Sequence, residues 1–178
     1  MTKKKKSNAK WLITITLLAF SISFIFSLIS ELTLSKVNLV IGILILILFI
    51  GIGILFDMIG VAVTSGAETP LHAMSAKKIK GAKKAVSFKK NADKVSSFCN
   101  DVIGDICGII SGSAGVTITA TISKIFDLDI FWVSLVITGI IASLTIGGKA
   151  IFKSIAMKNS NQIVYLTAKV LSIFEKKK

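Results

Sequence analysis

Apolar residues in this chain gather in long blocks, and the polar ones crowd into the gaps between them. Two blocks, Trp11 to Ile29 and Val37 to Val63, are apolar almost throughout. Each matches the roughly 20 residues a helix needs to cross a hydrocarbon core of about 30 Å. Two weaker blocks follow, Phe98 to Ile122 and Ile130 to Ile146, the first rich in Gly, Ser and Thr and carrying two aspartates. Such a segment must be shielded by neighbouring helices rather than face lipid. The pattern predicts an all-α membrane protein with four transmembrane helices.

The connection from Ser65 to Val95 follows a different rhythm. After Pro70, the only proline, Leu71, Met74, Ile79, Ala82, Val86 and Phe88 recur at mostly helical spacing, with lysines in the gaps. This predicts a basic amphipathic juxtamembrane helix over 70–95, lying along the cytoplasmic leaflet, with a solvated charged loop as the alternative. The tail from Asn159 to Phe174 places Ile163, Leu166, Val170, Leu171 and Phe174 on one face of a second amphipathic helix. Residues 1–36 thus form a basic N-terminus with a first span, 37–157 a three-span core containing the juxtamembrane helix, and 158–178 a short cytoplasmic tail.

Composition supports the membrane reading: 53% of residues are hydrophobic and the mean hydropathy is +0.80, too apolar for a domain with a water-facing surface. The net charge of +13 comes from lysine, since the chain has no arginine. Lys3 to Lys6 and Lys10 precede the first span, Lys77 to Lys94 fill the connection after the second, and Lys149, Lys153, Lys158 and Lys169 to Lys178 follow the fourth. The other two connections hold only Glu31 with Lys36, and Lys124 with Asp127 and Asp129. The positive-inside bias then places both termini in the cytoplasm of a multi-pass cell-membrane protein, its lysines against an anionic inner leaflet. Trp11 and Trp132 lie near span ends, as interfacial aromatics do. The run from Trp11 is too long for a signal peptide, and no small-x-small cleavage site follows before Glu31. No recognition motif or interleaved aromatic accompanies the lysines, so nucleic acid is not an expected partner.

Asp57, Asp101, Asp105 and Lys149 interrupt these apolar blocks. Ionisable groups at membrane depth are costly and mark functional sites by default. Counted from the cytoplasmic ends at about 1.5 Å per residue, all four fall in the inner third of the bilayer. With their faces turned inward they would form a cluster of three carboxylates and one ammonium. Such a cluster suits a divalent cation, and the hard oxygens of carboxylates, Thr64, Ser65 and carbonyls near Gly60 and Gly104 suit Mg²⁺. The alternative is a structural network in which Lys149 neutralises one aspartate and another carries a proton. Cys99 and Cys107 lie in the third span with His72, the only histidine, in the connection, too few and too scattered for a thiolate or imidazole metal site. Gly104, Gly108 and Gly112 recur every four residues and mark a helix-packing face shared with Asp101 and Asp105; the partner is either another span or a second subunit. No nucleophile, base and oxyanion donor converge in these motifs, so an enzyme is not expected.

From Phe56 onward the chain resembles the transmembrane module of the CorC/CNNM family of magnesium and cobalt transport proteins. Phe56-Asp57-Met58-Ile59-Gly60-Val61-Ala62-Val63-Thr64-Ser65 is similar to the family's F-S-x-S-E-x-A-L-T-S. Asn100-Asp101-Val102-Ile103-Gly104-Asp105-Ile106 resembles G-N-x-L-V-N-I, with Asp101 and Asp105 on its two asparagines. Gly148-Lys149-Ala150-Ile151-Phe152-Lys153, followed by Ser154-Ile155-Ala156, falls on G-E-I-x-P-K-(T/S)-x-A. The resemblance implies a Mg²⁺ pathway through Asp57, Asp101 and Asp105, possible use of Co²⁺, and a homodimer. Lys149 stands where the family has glutamate, and Phe152 where it has proline. An ammonium there is expected to act as a built-in cation, pairing with Asp101 or Asp105 and blocking occupancy. The family's cytoplasmic CBS domains are not in the chain, so regulation is expected to come from a separate chain or not to exist. Two readings follow: a small divalent-cation transporter, or a non-transporting relative that serves as a membrane interaction or regulatory subunit.

Overall fold

The computed structural model describes residues 13–175 except 15, 26, 30, 31 and 33–37. The described residues form helices and connections, with no strand. An apolar helix α1, Thr16–Ile29, comes first, followed by α2 (Leu39–Ser65), α3 (Glu68–Ala76), α4 (Ala82–Lys90) and α5 (Ala92–Ser97). A π-helical segment, Phe98–Gly104, then leads into α6 (Asp105–Phe126), and α7 (Ile130–Lys158) and α8 (Ser160–Glu175) close the chain. Among the described residues, three helices are long and apolar enough to cross a membrane: Leu39–Ser65, the continuous Ala92–Phe126, and Ile130–Lys158. The first expected span, Trp11 to Ile29, is described only in part, by α1; Trp11, Glu31, Lys36 and the lysines of residues 3–10 lie outside the described residues.

Two compact units share these helices. The first comprises the described residues up to Gly53 together with Val102–Thr145. Its core is Val102, Ile106 and Ile110, with Ala19, Ile22 and Phe49 packed on them. Gly53 admits α6 closely, since a Cβ there would lie 3.1 Å from that of Cys107. Polar side chains within α6 are satisfied locally: Ser111 Oγ donates to Cys107 O at 2.7 Å and Thr119 Oγ1 to Gly115 O at 2.8 Å. With no water to accept these protons, bonding back to the preceding turn removes the desolvation cost. A tight connection joins α6 to α7. Asp127 adopts a left-handed conformation, Leu128 N donates to Ser123 O, and Asp129 Oδ1 accepts from Phe131 N at 2.8 Å to cap α7.

The second unit is Ile54–Asp101 with Ile146–Lys178. Its core is built from small and medium residues, Ala62, Val63, Leu71, Ala85, Ala156, Val164 and Ala168, all at 0% exposure. Small side chains let the end of α2, the lower part of α7, α3, α4 and α8 approach one another closely. The juxtamembrane segment 70–95 is therefore not one helix along a leaflet but three, broken at 77–81 and at Asn91. The break has a physical cause: Lys78 and Gly81 take positive φ, and Gly81 lies against the backbone of Lys169 on α8. Leu71 and Ala82 from the expected apolar face are buried within the protein, as is Ala85 beside them, while Ile79 stays 38% exposed. In α8, Val164 and Ala168 are buried and Leu166 and Val170 exposed; the side chain of Phe174 lies outside the described residues.

Candidate functional site

The end of α2 carries the polar groups singled out by the sequence. Asp57 stands one turn beyond Ile54, and Ile54 packs into the space left by the missing side chain of Gly148, its Cγ1 3.3 Å from where a Cβ would be. That close approach brings the next residue of α7, Lys149, to Asp57. Lys149 Nζ lies 3.6 Å from Asp57 Oδ1, with side-chain exposures of 32% and 19%. The separation is that of an ion pair and longer than an N–H···O hydrogen bond. At membrane depth each charge compensates the desolvation of the other, so removing one would leave the other stranded.

Asp101 takes a different partner. It sits in the middle of the π-helical segment and is exposed, its Oδ2 accepting a 2.6 Å hydrogen bond from Ser97 Oγ. Within this unit the structure therefore joins Lys149 to Asp57 and not to Asp101. Asp105 opens α6 in the first unit and is exposed. Gly104 is buried, whereas Gly108 and Gly112 lie on an exposed face of α6 where an added Cβ would meet nothing within 4 Å. The buried face of α6 is the adjacent one, through Ile106, Cys107, Ile110, Ser111, Ala114, Gly115, Ile118 and Thr119. Among the described residues, no group of three or more His, Cys, Asp or Glu side chains is placed to hold a metal ion.

Two participants were not legible in the sequence. Asn100, also in the π-helical segment, is wedged against Gly60 of α2, where a Cβ would overlap its amide oxygen and lie 2.7 Å from its Cγ. Its Nδ2 donates to Ser96 Oγ at 3.4 Å, but its Oδ1 is buried with no hydrogen-bond donor. An orphaned buried acceptor is costly, and π-helical turns recur at functional sites because they aim such groups off the regular ladder. Lys89 is the second. Its Nζ donates to Val63 O at 3.1 Å and Thr64 O at 2.8 Å, placing an ammonium on the last-turn carbonyls of α2, where the helix dipole is negative. The Thr64 hydroxyl donates to Val61 O at 2.9 Å. Nothing in the run Lys77 to Lys94 marks Lys89 out from its neighbours; its role depends on where α4 packs.

The unit thus offers a carboxylate, an unsatisfied amide oxygen and the carbonyl-rich end of a helix, with two lysine ammoniums on the first and third. These are oxygen donors of the kind hard cations prefer. No family model, curated protein or solved structure matches the chain.

Proposed function

We propose that the chain is an integral membrane protein that transports a divalent cation, Mg²⁺ or Co²⁺, in the manner of the CorC/CNNM family, with Lys149 as a tethered cation that a metal must displace from Asp57. The observation that carries this reading is the Asp57–Lys149 pair, a carboxylate on a membrane-length helix already holding a positive charge at 3.6 Å. The unsatisfied Asn100 Oδ1 in the same unit adds a neutral oxygen of the right hardness. Asp101, which is tied to Ser97, is the second carboxylate proposed for the pathway in this unit; Asp105, also proposed from the sequence, lies in the first unit. The exposed face of Gly108 and Gly112 is the proposed contact for a second subunit in a homodimer. Both termini are proposed to be cytoplasmic.

The same pair favours a second reading, a non-transporting membrane subunit in which Lys149 permanently neutralises Asp57. Flux into reconstituted vesicles containing a Mg²⁺-sensitive dye separates the two. Transport predicts wild-type flux above empty vesicles, its loss in Asp57→Asn, and a lower half-saturating Mg²⁺ concentration in Lys149→Gln. Wild-type flux equal to that of empty vesicles, with Mg²⁺ binding created by Lys149→Glu, establishes the second reading instead.

A further inference from the structure

Away from the ion pair, the turn between α3 and α4 encloses a pocket of about 460 Å³ lined by Ser75, Ala76, Lys78, Ile79, Lys80, Gly81 and Lys83. Left-handed conformations at Lys78 (φ 55°) and Gly81 (φ 87°) fold the chain around it. Three of its lining residues are lysines and none is acidic. Among the described residues, none of these three ammoniums has an ion pair or hydrogen bond, in contrast to Lys89 and Lys149. Ser75 adds a hydroxyl. Unneutralised positive charge focused in a concavity attracts an anion more strongly than the same charge on a flat surface.

The geometry points to a binding site for an anionic phospholipid, its headgroup phosphate held by Lys78, Lys80 and Lys83 and its glycerol and first acyl carbons on Ala76 and Ile79. The apolar part of the lining selects lipid over free phosphate, because Ile79 remains 38% exposed in the middle of a lysine cluster. A free phosphate has no use for that surface, whereas an amphiphile buries it. The segment also connects two membrane-length helices, Leu39–Ser65 and Ala92–Phe126. This site is independent of the transport reading; it requires only that those helices lie in a bilayer.

Native mass spectrometry of the full chain, released from micelles titrated with phosphatidylglycerol or phosphatidylcholine, gives the affinities directly. The wild type is expected to prefer phosphatidylglycerol, and Lys78→Gln/Lys80→Gln/Lys83→Gln to weaken it about 100-fold, at the usual contribution of a lysine near an anionic surface. A charge-matched control, Lys90→Gln/Lys124→Gln/Lys158→Gln, is expected to change it by about threefold or less. Equal losses in the two triple variants would overturn the site in favour of a diffuse lysine field. Ile79→Gln keeps every charge and is expected to weaken phosphatidylglycerol about tenfold, which tests the site even if the triple variant fails to fold. Unchanged lipid affinity in Ile79→Gln, or displacement of the lipid by inorganic phosphate at comparable concentration, would overturn it as well.

Discussion

Gly81→Ala tests the packing on which the second unit depends. Gly81 has φ 87°, and a Cβ there would sit 2.8 Å from Lys169 Cα, 3.1 Å from its N and 3.2 Å from its Cβ. Two costs follow. Alanine in a left-handed conformation is disfavoured by about 1–2 kcal/mol, partly offset by about 0.4–1 kcal/mol from the smaller entropy of its unfolded chain. Overlap with backbone, which cannot rotate away as a side chain can, adds about 1–3 kcal/mol, because Lys169 follows the fully buried Ala168 and α8 must shift as a body. The net destabilisation is about 2–4 kcal/mol, or roughly 4–16 °C in the melting midpoint for a chain of this size. Helical circular dichroism during heating in mild detergent reads it. Gly81→Asn is expected to recover only the dihedral part, since asparagine tolerates positive φ but still brings a Cβ. A midpoint for Gly81→Ala within about 2 °C of wild type would refute the reasoning, and full recovery in Gly81→Asn would show that the contact with Lys169 contributes nothing.

Asp57→Asn and Lys149→Met should each destabilise more than half of what the double variant does, with a coupling of about 1–3 kcal/mol in a thermal double-mutant cycle; additivity would mean the pair is not formed. Gly60→Ala should cost about 1–3 kcal/mol by driving into Asn100, and Asn100→Ala in the same chain should recover most of it, read again by thermal midpoint. Lys89→Met removes the ammonium from Val63 O and Thr64 O, and should speed hydrogen–deuterium exchange over residues 60–66; unchanged exchange would show that the end of α2 needs no cap.

Where one physical force decides an element, the sequence announces it. The largely apolar run from Val37 to Val63 is α2, Leu39–Ser65, within two residues, as expected of a segment long and apolar enough to leave its backbone no partner but itself. The run from Ile130 to Ile146 predicts the start of α7 but not its end at Lys158, since its later residues are fixed by Ala156 packing into the second unit. The juxtamembrane break was hidden for a related reason: periodicity continues through 77–81, and only the approach of Lys169 makes glycine with positive φ necessary at 81. Of the candidate site, the sequence offers Lys149 as the neutraliser of one aspartate among three. That the aspartate is Asp57 depends on Gly148 admitting Ile54, which only the packing reveals. Along α6, Asp105, Gly108 and Gly112 are exposed whereas Gly104 is buried, because the π-helical segment Phe98–Gly104 changes the helical phase that the four-residue spacing assumes. Asn100 gave no signal at all, because a buried unsatisfied oxygen exists only once its neighbours are in place.

The contrast between α6 and α7 bears on how this chain can change over generations. In the continuous helix Ala92–Phe126, 56% of the most apolar stretch is buried within the protein, against 6% for Ile130–Lys158. A mutation in the former meets a shaped neighbour, as Gly115 meets Ile141, so its accepted alphabet is short. Along most of α7, Leu135, Val136, Ile140 and Leu144 are exposed, and in a membrane-length helix such positions are constrained by hydrophobicity rather than by shape. The outward positions of α7 should therefore drift freely among leucine, isoleucine, valine and phenylalanine, while Gly148, Lys149 and Ala156 stay fixed. A saturation library sorted for folded protein would display that difference as a tolerant helix punctuated by three intolerant positions.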